Sequence, residues 1–199
     1  MDTAVTVTQQ GDLIAVSSPY HPDFPPKARR LSGSFDRAST TWTFPSAAEP
    51  HVRGLCREIY GTDGTACDTV TLRVTATEGL YEGRGPITIA GRIVASARGR
   101  DSGARTGEGV LLLEGRATSG GSMKNWTTEI SVGAVMEIID VPRAAVPDAD
   151  ETQRLALEVE IVSSVTADKQ DALVAELQRL RARMGEIESL LEDKHTSSP

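Results

Sequence analysis

Residues 35–44, FDRASTTWTF, combine aromatic rings with a positive charge in a chain that is only 4% aromatic. Phe35, Trp42 and Phe44 supply the rings, and Arg37 supplies the charge. Exposed rings of this kind stack on unpaired nucleic-acid bases, while cations hold the phosphates. Alternatively, the rings pack into a core and only the basic residues stay on the surface. Trp42, Phe44 and Arg37 are therefore candidates for nucleic-acid binding, with core packing open as the alternative for the two rings.

The other candidates for phosphate contact are basic side chains in three further segments. They are Lys27, Arg29 and Arg30 before the aromatic segment, Arg53 and Arg57 on a predicted helix, and Arg98, Arg100 and Arg105 in a loop. For the helix pair the alternative is a solvated face. The loop ARGRDSGARTG is net positive, and its glycines predict a mobile finger that lies along a backbone groove. Its alternative is an ordinary solvated hairpin tip.

The elements that position these residues follow from local patterns. Residues 12–18 predict a short buried strand, and Pro25 and Pro26 suit the start of a basic helix that ends by Gly33. Residues 34–35 and 41–44 predict the two arms of a hairpin. Within the second arm, Trp42 and Phe44 are two residues apart and share one face.

A second helix is predicted over residues 46–61. The spacing of Ser46 and Glu49 is that of a capping box, and Gly61 is placed to end the helix. Four apolar residues fall on one stripe of this helix, namely Val52, Leu55, Cys56 and Ile59.

From residue 68 to 141 the pattern is β throughout, with short Val-, Ile- and Thr-rich runs separated by glycine turns. A last strand is predicted at 156–165, after a loop around 142–153. Strands at this spacing suggest a small barrel or a sandwich.

The C-terminal segment carries a heptad seam, typical of a coiled coil. Its apolar positions are Leu173, Leu177, Leu180, Met184, Ile187 and Leu191. In a parallel dimer, Glu176 would face Arg181 of the second copy, and Arg183 would face Glu188, so both pairs attract. We expect a parallel coiled-coil dimer; the alternative is a single amphipathic helix docked on the chain's own β domain.

Composition narrows the classes of function. The net charge of −7 argues against a generic polyanion binder, but residues 1–60 carry six basic and six acidic side chains, so the acidity lies elsewhere. Residues 150–199 carry six basic against eleven acidic side chains. No apolar run approaches the roughly 18 residues of a membrane span, and the N-terminus lacks the basic region of a secretory signal. With only two cysteines, we expect a reduced, cytoplasmic chain without a disulfide framework.

The segment AVSSPYHPDFPPKARRLSGSFDRASTTWTFP resembles the HARP-type module of annealing helicases. In that family a similar strand and a Tyr-Asn-Pro-like turn precede a helix, a Gly-x-x-aromatic-Asp segment and a Trp-x-Phe/Val-Pro-like strand. The resemblance covers about residues 12–60, with His21 where the family usually has Asn. It implies contact with DNA. Because the chain contains no glycine-rich phosphate loop, we expect no ATP-driven annealing.

These observations predict an α+β chain with a small N-terminal α/β module at 1–62 and a β-rich barrel or sandwich at 63–165. A coiled-coil helix at 166–194 and a disordered tail at 195–199 would follow. The function we predict is an oligomeric, non-enzymatic nucleic-acid-binding protein with an accessory or regulatory role, with DNA, single-stranded DNA included, favoured over RNA. We expect no cofactor, no metal and no membrane partner. The rival functions are an interaction protein that assembles through its β domain and coil, and an acidic inhibitor of a DNA-binding protein.

Deletion of residues 167–199 should convert an oligomer into a monomer and leave the β-rich region folded, because the heptad seam is the predicted assembly element. Light scattering measures the mass, and far-UV circular dichroism checks the fold. An unchanged mass after truncation would show that another surface makes the oligomer.

Overall fold

A computed structural model describes residues 5–165 and 174–184 of the chain. Within residues 5–165, fourteen strands and three α-helices confirm the strand-rich α+β class. The described residues up to 164 belong to one compact unit with two hydrophobic cores, and residues 174–184 belong to a second unit.

The N-terminal core is built on a four-stranded antiparallel sheet in the order β1-β2-β4-β3. Its strands are β1 (Thr6–Gln10), β2 (Leu13–Ser17), β3 (Ser34–Asp36) and β4 (Thr41–Pro45). The predicted strand and hairpin are confirmed as β2 and as the β3–β4 pair. Strand β1 escaped prediction because its sequence, TVTQQ, is polar and mostly exposed.

Two helices cover this sheet, α1 (Phe24–Arg30) and α2 (Glu49–Tyr60). Proline lies at the start of α1, as predicted, and the apolar stripe of α2 is buried. The predicted capping box is wrong, because the Ser46 amide donates to the Asp12 carbonyl at 2.9 Å and residues 46–48 form a 3-10 turn. Helix α2 therefore starts at Glu49 without a side-chain cap. Gly61, with φ of 71°, ends it as predicted.

Trp42 and Phe44 lie in the N-terminal core, on the face of β4 that meets the helices. Phe44 is fully buried, and Trp42 retains 8% of its surface. Phe35 is the cross-strand neighbour of Trp42 on the edge strand β3 and remains 45% exposed. The outer strand thus leaves one ring of the aromatic segment partly in solvent.

The second core lies in the β-rich part, which has three sheets, ordered β10-β13-β5-β14, β11-β12-β6 and β7-β8-β9. The strands are β5 (Thr69–Ala76), β6 (Leu80–Gly83), β7 (Ile87–Ile89), β8 (Arg92–Ala97), β9 (Ala104–Thr106), β10 (Val110–Glu114), β11 (Ala117–Gly121), β12 (Trp126–Ile130), β13 (Val135–Pro142) and β14 (Leu157–Val165). The buried Thr128 hydroxyl ties sheets together, since it accepts from the Ala97 amide at 3.0 Å and donates to the Gly85 carbonyl at 2.6 Å.

The sequence missed three short elements in this part. Strands β6 and β9 are only four and three residues long, and the loop expected at 142–153 contains α3 (Ala149–Arg154). Asp148 caps α3 by accepting a hydrogen bond from the Glu151 amide at 2.8 Å. Such short segments carry too few residues for a period to show.

The two cores are joined by close backbone contact at the end of α2. A Cβ on Gly91 would meet the Ile59 carbonyl and would lie 3.1 Å from the Cα of Tyr60. A Cβ on Gly61 would lie 2.7 Å from the Ala145 amide nitrogen. Both glycines also have φ near +70°, a conformation that side chains disfavour. Glycine at these positions lets the N-terminal part dock directly on the β-rich part.

Of the predicted coiled coil, the structure describes residues 174–184, which are helical. Leu177, Leu180 and Met184 are all exposed on this helix. Leu173, Ile187 and Leu191 lie outside the described residues, as does the predicted tail at 195–199. Self-association through this seam stays a prediction.

Trp42→Ala should lower the free energy of unfolding by about 3–5 kcal/mol, because it removes a large ring from a packed core. Phe35→Ala is the matched control and should lose only about 1 kcal/mol, the contribution of one aromatic pair at an edge. Urea unfolding of both variants measures the difference. Similar losses for the two variants would mean that Trp42 does not organise the core.

Candidate nucleic-acid interface

An exposed ring, Phe35, and an exposed cation, Arg29, both pack against Trp42. The centroids of the Phe35 and Trp42 rings are 5.3 Å apart, and the Arg29 guanidinium carbon lies 5.8 Å from the Trp42 centroid. Phe24 meets the same indole edge-on at 6.0 Å from inside the core. The buried indole therefore supports a surface on which a ring and a guanidinium are available together.

Trp42 and Phe44 do not themselves present a free face to a base, since both are buried. Core packing, the alternative for these two rings, is what the structure shows, and their assignment as stacking residues is wrong. The reason is the register of the hairpin, which turns both side chains toward the helices. Phe35 is the ring of this segment that solvent reaches.

Arg37 lies at the tip of the β3–β4 hairpin and is exposed. Asp36 shapes this tip by accepting hydrogen bonds from the Ser39 hydroxyl at 2.7 Å and the Ala38 amide at 3.0 Å. Both hydrogen bonds lower the pKa of Asp36, and the bond from the Ser39 hydroxyl has the larger effect. Among the described residues, Arg29, Arg30 and Arg37 make no ion pair, so these three guanidinium groups can bind an outside anion.

A groove of about 630 Å³ opens beside the hairpin. Phe35 and Trp42 line one side, Tyr20 lines it from the loop after β2, and Arg92 and Ile93 line it from β8 of the β-rich part. Tyr20 is 63% exposed. Sequence analysis did not assign Tyr20, Phe35 or Arg92 to the site. The sequence did contain a signal for Tyr20. It lies between Pro19 and Pro22, and a segment with these prolines does not continue a helix or a central strand, so Tyr20 is expected in a loop.

His21 lies at the inner end of the same loop, mostly buried, with its ring edge-on to Tyr60. Its Nδ1 accepts a hydrogen bond from the Asp23 amide at 3.2 Å. Burial lowers the pKa of His21; the Asp23 carboxylate acts in the opposite direction, and the Lys27 ammonium lowers it further. The ring is thus held in its neutral form beside the groove.

Three of the predicted phosphate contacts form ion pairs with carboxylates of the same chain, in part at the surface. Lys27 pairs with Glu58 at 2.7 Å, and Arg53 pairs with Glu49 at 2.9 Å. Arg57 donates to the buried carboxylate of Asp63 at 2.6 Å. Arg57 is exposed, as a solvated face would have it, whereas Arg53 is half-buried, and both guanidinium groups lie against Asp63 in the loop after α2. Their contact with phosphate stays a prediction.

Asp63 is the carboxylate that both Arg53 and Arg57 approach. Burial alone would raise its pKa, but hydrogen bonds from the Thr65 hydroxyl and amide and the charges of Arg57 and Arg53 lower it instead. Arg53 also donates to the backbone carbonyl of Asp63 at 3.2 Å. Of these ion pairs, only the one between Glu49 and Arg53 could be expected from the sequence, because the two residues are four positions apart on a helix.

The arginine loop is the tip of the β8–β9 hairpin, and it is tied down by hydrogen bonds rather than free. Ser102 accepts from the amides of Arg98 and Gly99, and the Ser119 hydroxyl donates to the Arg100 carbonyl at 2.7 Å. The Arg100 side chain forms a two-point ion pair with Asp101. Arg98 and Arg105 stay exposed, so the loop is a hydrogen-bonded hairpin tip with two arginines in solvent, and its contact with a nucleic-acid backbone stays a prediction.

The described residues show no group of three or more His, Cys, Asp or Glu side chains arranged to hold a metal ion. Both cysteines are free thiols. Burial raises the pKa of Cys56 to about 12, so this thiol is protonated at neutral pH.

No protein-family model, no curated protein and no solved structure matches the chain. Within the described part of the chain, no helix is long and apolar enough to cross a bilayer.

Replacement of His21 should change how stability depends on pH. Because burial lowers its pKa in the folded chain, the unfolded chain takes up a proton first as the pH falls through about 6.5. The contribution of His21 to the free energy of unfolding is therefore present above that pH and declines below it. His21→Asn, which keeps an acceptor for the Asp23 amide, should lack this decline.

Urea unfolding of both proteins at several pH values between about 5 and 8 measures the effect. The difference between wild type and variant should narrow toward the acid side. Parallel curves would mean that His21 titrates alike in the folded and unfolded chains.

Proposed function

We propose that this chain is a non-enzymatic nucleic-acid-binding protein that contacts DNA through its N-terminal part. The observation that carries the proposal is the pair formed by Arg29 and Phe35, both exposed and both packed on Trp42. A ring and a cation side by side match a ligand that offers bases and phosphates together. The resemblance of residues 12–60 to the HARP-type module supports the same partner.

Charge around this pair supports the proposal. Arg29, Arg30 and Arg37 are exposed and without an ion-pair partner among the described residues, whereas Lys27, Arg53 and Arg57 are paired with carboxylates. The phosphate contacts are therefore assigned first to the three exposed arginines. The β8–β9 tip, through Arg98 and Arg105, is proposed as a second and weaker contact.

The remaining parts of the chain are proposed to present this surface. The three sheets around the second core would form a barrel or sandwich that holds the N-terminal module. The exposed Leu177, Leu180 and Met184 would join two copies in a parallel coiled coil. A dimer doubles the number of basic surfaces, and linked sites bind a continuous strand more tightly than single ones.

The triple variant Arg29→Ser, Arg30→Ser and Arg37→Ser should weaken DNA binding and flatten its salt dependence. Each phosphate contact on a single strand contributes about 0.7 to the slope of log K against log salt, so the slope should fall by about two. Fluorescence anisotropy with labelled oligonucleotides at several salt concentrations measures it.

The matched control removes the same charge elsewhere, as Arg84→Ser, Arg116→Ser and Arg143→Ser, three exposed arginines outside both proposed contacts. The control should keep the slope of the wild type. Equal effects of the two triple variants would move the interface away from α1 and the hairpin. If the wild type binds no nucleic acid even at low salt, the proposed function is wrong.

A further inference from the structure

We infer that the groove between the β3–β4 hairpin and the β-rich part takes an unpaired base of single-stranded DNA, with Tyr20 and Phe35 as its stacking residues. This inference rests on the proposed function and adds the strand type that the surface selects. It concerns a groove of about 630 Å³, within the range of small-ligand sites.

Tyr20 is held in place although most of its ring is exposed. The Tyr60 hydroxyl donates to the carbonyl of Pro19, the preceding residue, at 2.9 Å and lies 3.2 Å from the Ser18 hydroxyl. Pro19 and Pro22 further restrict the backbone on both sides. Because the backbone is restrained in this way, only the side-chain rotamers of Tyr20 lose freedom when a base stacks on its ring.

Phe35 is fixed by a different element of the same groove. It faces Trp42 across the β3–β4 pair, and its ring centroid lies 5.3 Å from that of Trp42. Tyr20 and Phe35 thus reach one groove from separate segments, each anchored to the N-terminal core. Two anchored, partly exposed rings around one groove form a site for a flat aromatic group.

The charges around the groove determine which flat group fits. Arg29 contacts the indole that lines the groove, and Arg37 lies on the hairpin between the lining residues Phe35 and Thr40. Both are positive, and neither has an ion-pair partner among the described residues. An apolar, ring-lined groove with a cationic rim complements a base attached to phosphates.

The opposite wall carries two opposite charges, Arg92 from β8 and Glu108 from the turn between β9 and β10. Burial lowers the pKa of Arg92, while the charges of Asp140 and Glu108 act in the opposite direction, so Glu108 lies within electrostatic reach of Arg92. Because the two charges offset each other, the phosphates should follow the side of Arg29 and Arg37, and the base should point toward the β-rich part. In a duplex both faces of a base are already stacked, and exposing one costs a few kcal/mol. The groove therefore favours a single strand over a duplex.

The test compares Tyr20→Ala with Tyr20→Phe and with Tyr81→Ala in the full chain. Tyr81 is a matched control because it is also an exposed tyrosine, at 76%, but does not line this groove. The probe is a labelled oligothymidine long enough for a site of about 4–16 nucleotides. Tyr20→Ala should weaken binding by about 5- to 150-fold, whereas Tyr20→Phe and Tyr81→Ala should bind like the wild type.

Two further probes separate base stacking from phosphate contact. An abasic strand of equal length keeps the phosphates, and a matched duplex hides the base faces. Tyr20→Ala should bind both of these as the wild type does, because neither offers a base to the groove. Thermal melting confirms that the variant is folded.

If the wild type and Tyr20→Ala bind oligothymidine with the same affinity, the proposal that the groove binds a base is wrong, while the proposed DNA binding still stands. A loss of the same size on the abasic strand would also overturn it, since the effect would then not come from bases. Failure of the wild type to bind any of the three probes at low salt would overturn both the groove and the proposed function.

Discussion

The candidate site depends on the packing of Trp42, which contacts the core on one side and surface residues on the other. Its ring meets Phe24 from inside at 6.0 Å, while Phe35 and Arg29 lie on it at 5.3 and 5.8 Å. The core fixes the indole, and the indole then fixes the exposed groups that pack against it. In a chain with few aromatic residues, a ring and a cation at the surface are thus positioned by a residue that is itself almost fully buried.

The second constraint is the close approach between the end of α2 and the β-rich part. Gly61 and Gly91 allow backbone to meet backbone there, and side chains at either position would separate the two parts. The groove is lined by residues of both parts, with Tyr20 and Phe35 on one side and Ile93 on the other. The same approach of the two parts brings these residues to one groove.

Local periodicity predicted the longer elements, because each depends on neighbours in sequence. The β3–β4 hairpin, the buried stripe of α2 and the alternation of β5 needed only the residues within them. The site was less accessible to such reasoning. Whether Trp42 faces the helices depends on the pairing of β4 with β2, and the roles of Arg53 and Arg57 depend on Asp63, which lies outside their helix.

Exposure was hardest to predict, because it depends on where an element lies in its sheet. Phe35 and Trp42 are opposite each other and share a face, yet β3 is an edge strand and β4 is interior. That difference alone leaves Phe35 five to six times more exposed than Trp42, at 45% against 8%. The pattern of residues 35–44 predicted exposed rings, but the ring that solvent reaches is Phe35 and not Trp42 or Phe44.

Ion pairs within the N-terminal part determine which of its basic side chains remain unpaired in a chain of net charge −7. Glu58, Glu49 and Asp63 are occupied by Lys27, Arg53 and Arg57. The three arginines left over, Arg29, Arg30 and Arg37, lie on α1 and at the hairpin tip. Because salt screens charges beyond about 8–10 Å, an anion at the hairpin would respond to these arginines and to the neighbouring Asp36 rather than to the total charge. Each ion pair removes one acidic and one basic side chain, so pairing does not change the balance of charge; it decides which basic side chains remain unpaired near the exposed rings.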